Sequence, residues 1–177
     1  MRRPGPWLAA ALLGVGLVFL GVGIWRSGND DTIVLRPRVL ESAVADADAA
    51  PAKQPFRGLT TTSVAVGGRT MRVVVADAVD ERTKGLRRRR DIGEYDGMLF
   101  VFDESTETTF TMSTVPVALD IGFYDSSGRV VDRLRMEPCA RSESRCPVYR
   151  ASGSFVYALE TLADELPRGR LRSHRGP

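Results

Sequence analysis

The apolar positions divide the chain into one long uninterrupted stretch, a polar spacer, and a series of short alternating runs. Residues 7–25, WLAAALLGVGLVFLGVGIW, carry no charge and contain only apolar residues and Gly. As a helix rising 1.5 Å per residue they would reach about 28 Å, close to the hydrocarbon thickness of a bilayer. Past Thr62 the pattern changes. SVAVGGRTMRVVVA alternates, turns at Gly67-Gly68, and alternates again with Met71, Val73 and Val75 on one face, which predicts a hairpin. DAVDERTKGLRRRR predicts a short helix, with Asp80 capping its start and the arginines near its C-terminal end, where the macrodipole favours cations. GMLFVF (97–102) is a continuous apolar run, the pattern of a strand covered on both faces. TFTMSTVPVALDIGFYDSSGRVV (109–131) alternates up to the turn Asp125-Ser126-Ser127-Gly128, and GRVVDRLRM supplies its returning strand. SFVYALET (154–161) reads as the last strand, before LADELPRGRLRSHRGP dissolves into a basic tail.

Five or six strands and one short helix predict an all-β domain, a mainly antiparallel β-sandwich or barrel, preceded by an N-terminal transmembrane helix. The divisions that follow are a membrane anchor over 1–26, a flexible linker over 27–62, the all-β domain over 63–166 and a disordered basic tail over 167–177.

Charge sets the orientation. The net charge of +3 is modest, but Arg2 and Arg3 precede the apolar run while Asp30 and Asp31 follow it. The positive-inside rule then puts the N-terminus in the cytoplasm and the domain outside, with Trp7 and Trp25 at the two interfaces. The competing reading is a cleaved signal peptide and a secreted domain. Such peptides have a shorter apolar core, and the nearest A-x-A site, Ala43-Val44-Ala45, lies far downstream. Cys139 and Cys146 sit in the polar loop PCARSESRCP and are expected to form a disulfide outside the cytoplasm. Closing so short a loop would contribute about 2–3 kcal/mol on the chain-entropy view. Two free buried thiols are the alternative. A Cys/His metal set is not expected, because the one histidine, His174, is in the tail.

Chemistry-bearing motifs are sparse. The domain has no histidine, no G-x-S-x-G and no P-loop, and no cofactor is expected. Among the carboxylates, Asp120 and Glu160 fall within strands. Val117, Leu119, Ile121 and Phe123 share one face of their strand, so Asp120 lies on the other, between the small residues Ala118 and Gly122. Three readings stand: a structural ion pair, a ligand-site or catalytic carboxylate, or plain exposure. The run Arg87, Arg88, Arg89 and Arg90 reads either as a solvated face or as a contact for anionic lipid headgroups or cell-wall polymer. Nucleic acid is disfavoured by the external location and the lack of aromatics around the run. A protein partner is not specified by the sequence.

From Met71 to about Leu162 the order of features resembles the bacterial and archaeal domain-of-unknown-function family 192. The pieces are VVVADAVDERTKGLRRR, DGMLFVFDE, TFTMSTVPVALDIGFYDSSGRVV, MEPC and FVYALE. The resemblance implies a compact all-β domain, often exported or anchored, without an established activity. The chain departs from the pattern at several places. Where the family has F-W-M-x-N-T, this chain has Phe110-Thr111-Met112-Ser113-Thr114-Val115, so the Trp and Asn are missing. Ala118 replaces the proline before Leu-Asp, while Gly97 and Asp120 match. The expected function is a membrane-anchored extracytoplasmic binding or cell-envelope accessory module without its own reaction. The alternative is a hydrolase or carbohydrate-active enzyme using Asp120 with a second carboxylate, Asp125 or Glu160, about 5–10 Å away across a cleft.

Overall fold

A two-residue turn of Gly67 and Gly68, both at positive φ (57° and 91°), reverses the chain and pairs Val66 with Arg69. Two successive left-handed residues match the twist of a hairpin, and glycine adopts that conformation without a Cβ penalty. In the computed structural model, which describes residues 49–173, this hairpin joins β2 (Thr60–Val66) to β3 (Arg69–Ala76). The remaining strands are β1 (Ala50–Pro51), β4 (Gly97–Thr106), β5 (Phe110–Thr111), β6 (Leu119–Tyr124), β7 (Val130–Met136), β8 (Val148–Tyr149), β9 (Phe155–Leu162) and β10 (Leu171–Ser173). The apolar run 7–25 lies outside the described residues, and no described helix is long and apolar enough to cross a membrane.

The main sheet runs β1-β2-β3-β4-β9-β6-β7, with β10 also on β2. All its ladders are antiparallel except β3–β4, where α1 (Val79–Lys84) lies in the crossover. The domain is mainly β with one short helix, as the alternation implies. The sheet does not close into a barrel; β5 and β8 instead form a separate two-stranded sheet. Strands β4 and β9 occupy the middle and supply both faces. Met98, Phe100, Ile121, Phe123, Phe155 and Ala158 pack on one side, and Val64, Met71, Val73, Leu99, Tyr124 and Leu159 on the other. That is why GMLFVF shows no alternation: each of its faces meets a core. Phe100 and Phe110 stack edge to face at 5.3 Å, which seats β5 over the first side.

Several boundaries differ from the sequence reading. Helix α1 is not capped by Asp80. The Glu81 carboxylate reaches back to the Asp77 and Ala78 N–H groups, each at 3.1 Å, while Asp80 pairs with Lys84 at 3.2 Å. The expected linker 27–62 yields residues to the fold: β1 and the start of β2 fall inside it, and Ala52 and Phe56 are buried. The expected tail 167–177 likewise supplies β10, so β9 is not the last strand. Leu171 is fully buried, and its N–H donates to the Gly128 carbonyl at 2.9 Å, tying β10 to the β6–β7 turn. Arg133 of β7 donates to the Leu166 carbonyl at 2.7 Å and to that of Pro167, which fixes the path toward β10.

Leu171→Ala should therefore lower the unfolding free energy by about 2–4 kcal/mol in urea titrations. A loss under about 0.5 kcal/mol, the range of ordinary surface changes, would mean that the tail is not part of the core.

Candidate functional site

The middle strand carries a carboxylate. Register pairs Glu160 of β9 with Met98 of β4 and with Ile121 of β6. Directly paired residues share a face, so the Glu160 side chain rises on the Met98 and Ile121 side, beneath α1 and β5. It is only 6% exposed. No hydrogen bond or ion pair reaches its carboxyl among the described residues. Instead it faces a cavity of about 320 Å³. Leu86, Phe100, Phe102, Phe110 and Val115 form the apolar walls, Thr108, Thr109 and Thr111 add hydroxyls, and Arg82, Lys84, Arg87 and Glu143 supply charge.

Burial without a compensating partner pushes the Glu160 carboxyl up to about 8, because an uncompensated anion in an apolar setting is costly. At neutral pH the group is a neutral acid that can donate one hydrogen bond and accept others. A buried titrating group of this kind facing a cavity is a recurring property of functional sites.

The charged edge of the cavity is built by the disulfide. Cys139 and Cys146 are bonded, with Cα atoms 5.9 Å apart, as their setting in the sequence implies. Their loop is docked by the Thr114 N–H on the Cys139 carbonyl at 2.9 Å and the Ser113 hydroxyl on the Arg141 carbonyl at 3.3 Å. It presents Glu143 to Arg87 at 3.0 Å, with the Arg87 side chain 28% exposed. Arg82 is held by the Asp77 carbonyl and, at 2.9 Å, by the Val101 carbonyl, with its guanidinium 5.0 Å from the Phe102 ring centre.

The four consecutive arginines do not form one cationic face. They follow α1 in a turn, which distributes them. Arg89 lies over the Phe56 ring at 4.5 Å and donates to the Pro55 carbonyl at 2.7 Å, so it is spent on the segment expected to be linker. Arg87 belongs to the cavity. Arg88 and Arg90 are exposed.

Asp120 lies on the opposite side of the sheet from Glu160. It pairs with Arg135, its direct cross-strand neighbour, at 3.4 Å, and accepts the Asp164 N–H at 2.7 Å. Arg135 also reaches the Asp164 carboxylate at 3.1 Å. The space that Gly122 would leave is taken by Tyr124: a Cβ at position 122 would come 2.6 Å from the Tyr124 hydroxyl oxygen. A catalytic pair of Asp120 with Glu160 is thus not formed, since the sheet separates them. Asp125 is occupied in its own turn. Burial would raise its carboxyl, but hydrogen bonds from Ser127 and Arg129 outweigh that and hold it at about 2.

The Glu160 cavity also gives meaning to two departures from the resemblance. Thr111, in place of Trp, lines the cavity. Thr114, in place of Asn, has φ 63°, a left-handed conformation that Asn adopts more readily than a β-branched residue.

Sequence reasoning placed Glu160 in a strand but favoured Asp120. The available signal was that Glu160 interrupts an apolar run with no alternation, FVYALETL, so either face would bury it.

Three comparisons bear on this fold. A family model for DUF192, described as "Uncharacterized ACR", matches residues 62–174. A protein of unknown function from Novosphingobium aromaticivorans is 28% identical with a TM-score of 0.58, covering 72% of this chain and 95% of its own. A Sinorhizobium meliloti protein described as a candidate transcription regulator is 26% identical with a TM-score of 0.52, covering 63% of this chain and 90% of its own. No curated protein matches.

The raised acid makes stability depend on pH in a defined direction. In the unfolded chain Glu160 ionises near 4.5, and in the fold near 8. Between these values unfolding releases a proton, so this group makes stability fall as pH rises from about 5 to 8 and level off above. Glu160→Gln should flatten that fall and melt higher than the parent at pH 8. An unchanged slope in thermal melts would contradict the assignment.

Proposed function

The chain belongs to the DUF192 family, and we propose that it is a membrane-anchored extracytoplasmic module that binds a small molecule in the Glu160 cavity without a reaction of its own. The carrying observation is the Glu160 carboxyl, 6% exposed, without a hydrogen-bond or ion-pair partner among the described residues, and facing a cavity of about 320 Å³. Leaving a buried polar group unpaired costs about 1–3 kcal/mol, a cost a ligand with a matching group would remove. The volume is near the lower end of small-molecule sites, about 300–1,000 Å³, and the mixture of apolar wall and few polar groups is typical of them. The apolar run 7–25, preceded by Arg2 and Arg3, supports the anchor and its orientation. The disulfide at the cavity edge supports an oxidising compartment. The regulator description of the Sinorhizobium protein is not carried over, because Arg87 and Arg89 are engaged within the domain.

One observation favours a second reading, acid–base catalysis in the same cavity. Glu160 is held neutral by burial, whereas Glu143 faces the Arg87 guanidinium. A buried neutral acid and an arginine-paired carboxyl group lining one cavity are the raw material of glycoside and ester hydrolysis. Turnover of a glycoside or ester probe by the full chain that is lost in both Glu160→Gln and Glu143→Gln would establish this reading in place of simple binding.

Methionine methyl labels read cavity occupancy. Met98 pairs with Glu160 on the cavity face, and Met71 packs in the opposite core. In full-length protein in lipid nanodiscs, a mixed fragment library should shift the Met98 methyl resonance and leave Met71 in place. Thr111→Trp, which sets an indole on the cavity wall, should abolish the response. If no fragment moves Met98, the binding reading is wrong.

Location has its own test, since the chain has two cysteines. After reduction, a membrane-impermeant maleimide should label Cys139 and Cys146 in intact cells. Labelling only after lysis would place the domain inside.

A further inference from the structure

The two ends of the cavity differ in chemistry. The deep end is Glu160, a group that burial keeps neutral, with the Phe100 ring on the same face of the sheet. The edge carries Arg87, and Arg87 with Lys84 also lines a neighbouring groove of about 340 Å³ shared with Arg88, Arg89 and Thr114. The groups around Glu160 are named by element: Arg82 and Lys84 from α1, Arg87 from the turn after it, and Glu143 from the disulfide loop. Lys84 is held by Asp80 and Arg82 by two carbonyls, whereas Arg87 keeps one long bond, 3.5 Å, to the Ser113 carbonyl and otherwise pairs with exposed Glu143, so it is the guanidinium placed to exchange one carboxylate partner for another.

We propose that the cavity takes a small amphipathic monocarboxylate: its carboxylate at Arg87, its apolar body between Leu86, Phe100 and Phe110, and a neutral hydroxyl or carbonyl at its far end on Glu160. This rests on the binding reading above and names its ligand class. Arginine suits the head group because its fork pairs with a carboxylate through two parallel hydrogen bonds. Glu143, 64% exposed, can give up Arg87 at little cost, since an exposed carboxylate recovers its hydration. A protonated carboxyl at the deep end selects an uncharged partner. It donates to a hydroxyl or carbonyl oxygen, and it gives an ammonium group no countercharge unless Glu160 is ionised against its burial. The apolar walls require that the two polar ends be separated by hydrocarbon or an aromatic ring. The polarity of the bound molecule is thereby fixed, with its charged end outward.

The test uses a matched probe series on full-length protein in nanodiscs, read by the Met98 methyl shift at pH 7. The probes are 3-(4-hydroxyphenyl)propanoate, the corresponding amide and amine, and 3-phenylpropanoate, which lacks the far hydroxyl. The propanoate should bind about tenfold more tightly than the amide and the amine, as expected for loss of a charge-assisted pair. Arg87→Gln should remove that preference, Arg87→Lys should restore part of it, and Arg88→Gln should leave it intact. Glu160→Leu, a substitution that an apolar site tolerates, should remove the preference for the hydroxylated over the plain phenyl probe while keeping the carboxylate preference. Equal or tighter binding of the amine would overturn the inference while leaving the cavity as a binding site. A carboxylate preference that survives Arg87→Gln would overturn the placement of the head group. If no probe of the series moves Met98 while the fragment library does, the ligand class is wrong; if neither does, the binding reading itself fails.

Discussion

The desolvation of one carboxyl group in the central strand organises the cavity side of this domain. β9 is paired on both edges, by β4 and β6, and the residues from Phe155 to Thr161 are buried. A side chain on such a strand has only two directions, each into a core. Glu160 points into the core that α1, the turn after it and the β5–β8 sheet cover, and a tightly packed apolar contact there would leave its oxygens unsolvated. The cavity is the alternative to such packing. Leu86, Phe110 and Val115 stand around the carboxyl without closing on it, and the threonines beside them keep the lining partly polar.

The edge of that cavity depends on parts of the chain that are distant in sequence. The Cys139–Cys146 bond closes a loop whose Glu143 holds Arg87, and the loop is anchored on Thr114 and Ser113. The backbone of the arginine turn is fixed in turn by the Arg88 N–H on the Thr114 carbonyl at 2.8 Å. Thr114 therefore links the disulfide loop to the turn through its N–H and its carbonyl, which accounts for a left-handed conformation at a β-branched residue. On the other face of the sheet, Asp120, Arg135 and Asp164 form a network that fixes the chain just after β9. It acts on structure, at a place the cavity does not reach.

The longer elements were legible in the sequence because each had several residues over which a period could be seen. The Gly67-Gly68 hairpin, the doubly covered run at 97–102 and the β6–β7 hairpin all follow from alternation and turn chemistry. Strands β1, β5, β8 and β10 are two or three residues long, too short to carry a period. They exist because β2 offers a free edge and because Phe110 and Leu171 find cores made by other strands. Parity correctly put Asp120 off the apolar stripe of β6. It could not rank Glu160, because alternation gives no information on a strand that is buried on both faces. The arginine run could not be resolved for a related reason: composition counts charges, whereas the direction of Arg89 is set by Pro55 and Phe56, in a segment whose composition reads as spacer.

All of this rests on Glu160 being an uncharged acid in the folded protein at neutral pH. The most direct measurement is the ¹³C chemical shift of its side-chain carboxyl carbon, followed from pH 4 to pH 10 in the folded full-length protein and assigned with Glu160→Gln. A single titration with a midpoint at about 8 is expected. A midpoint near 4.5, the ordinary value for a glutamate, would show that water or a counter-charge already solvates the carboxyl, and would contradict the account.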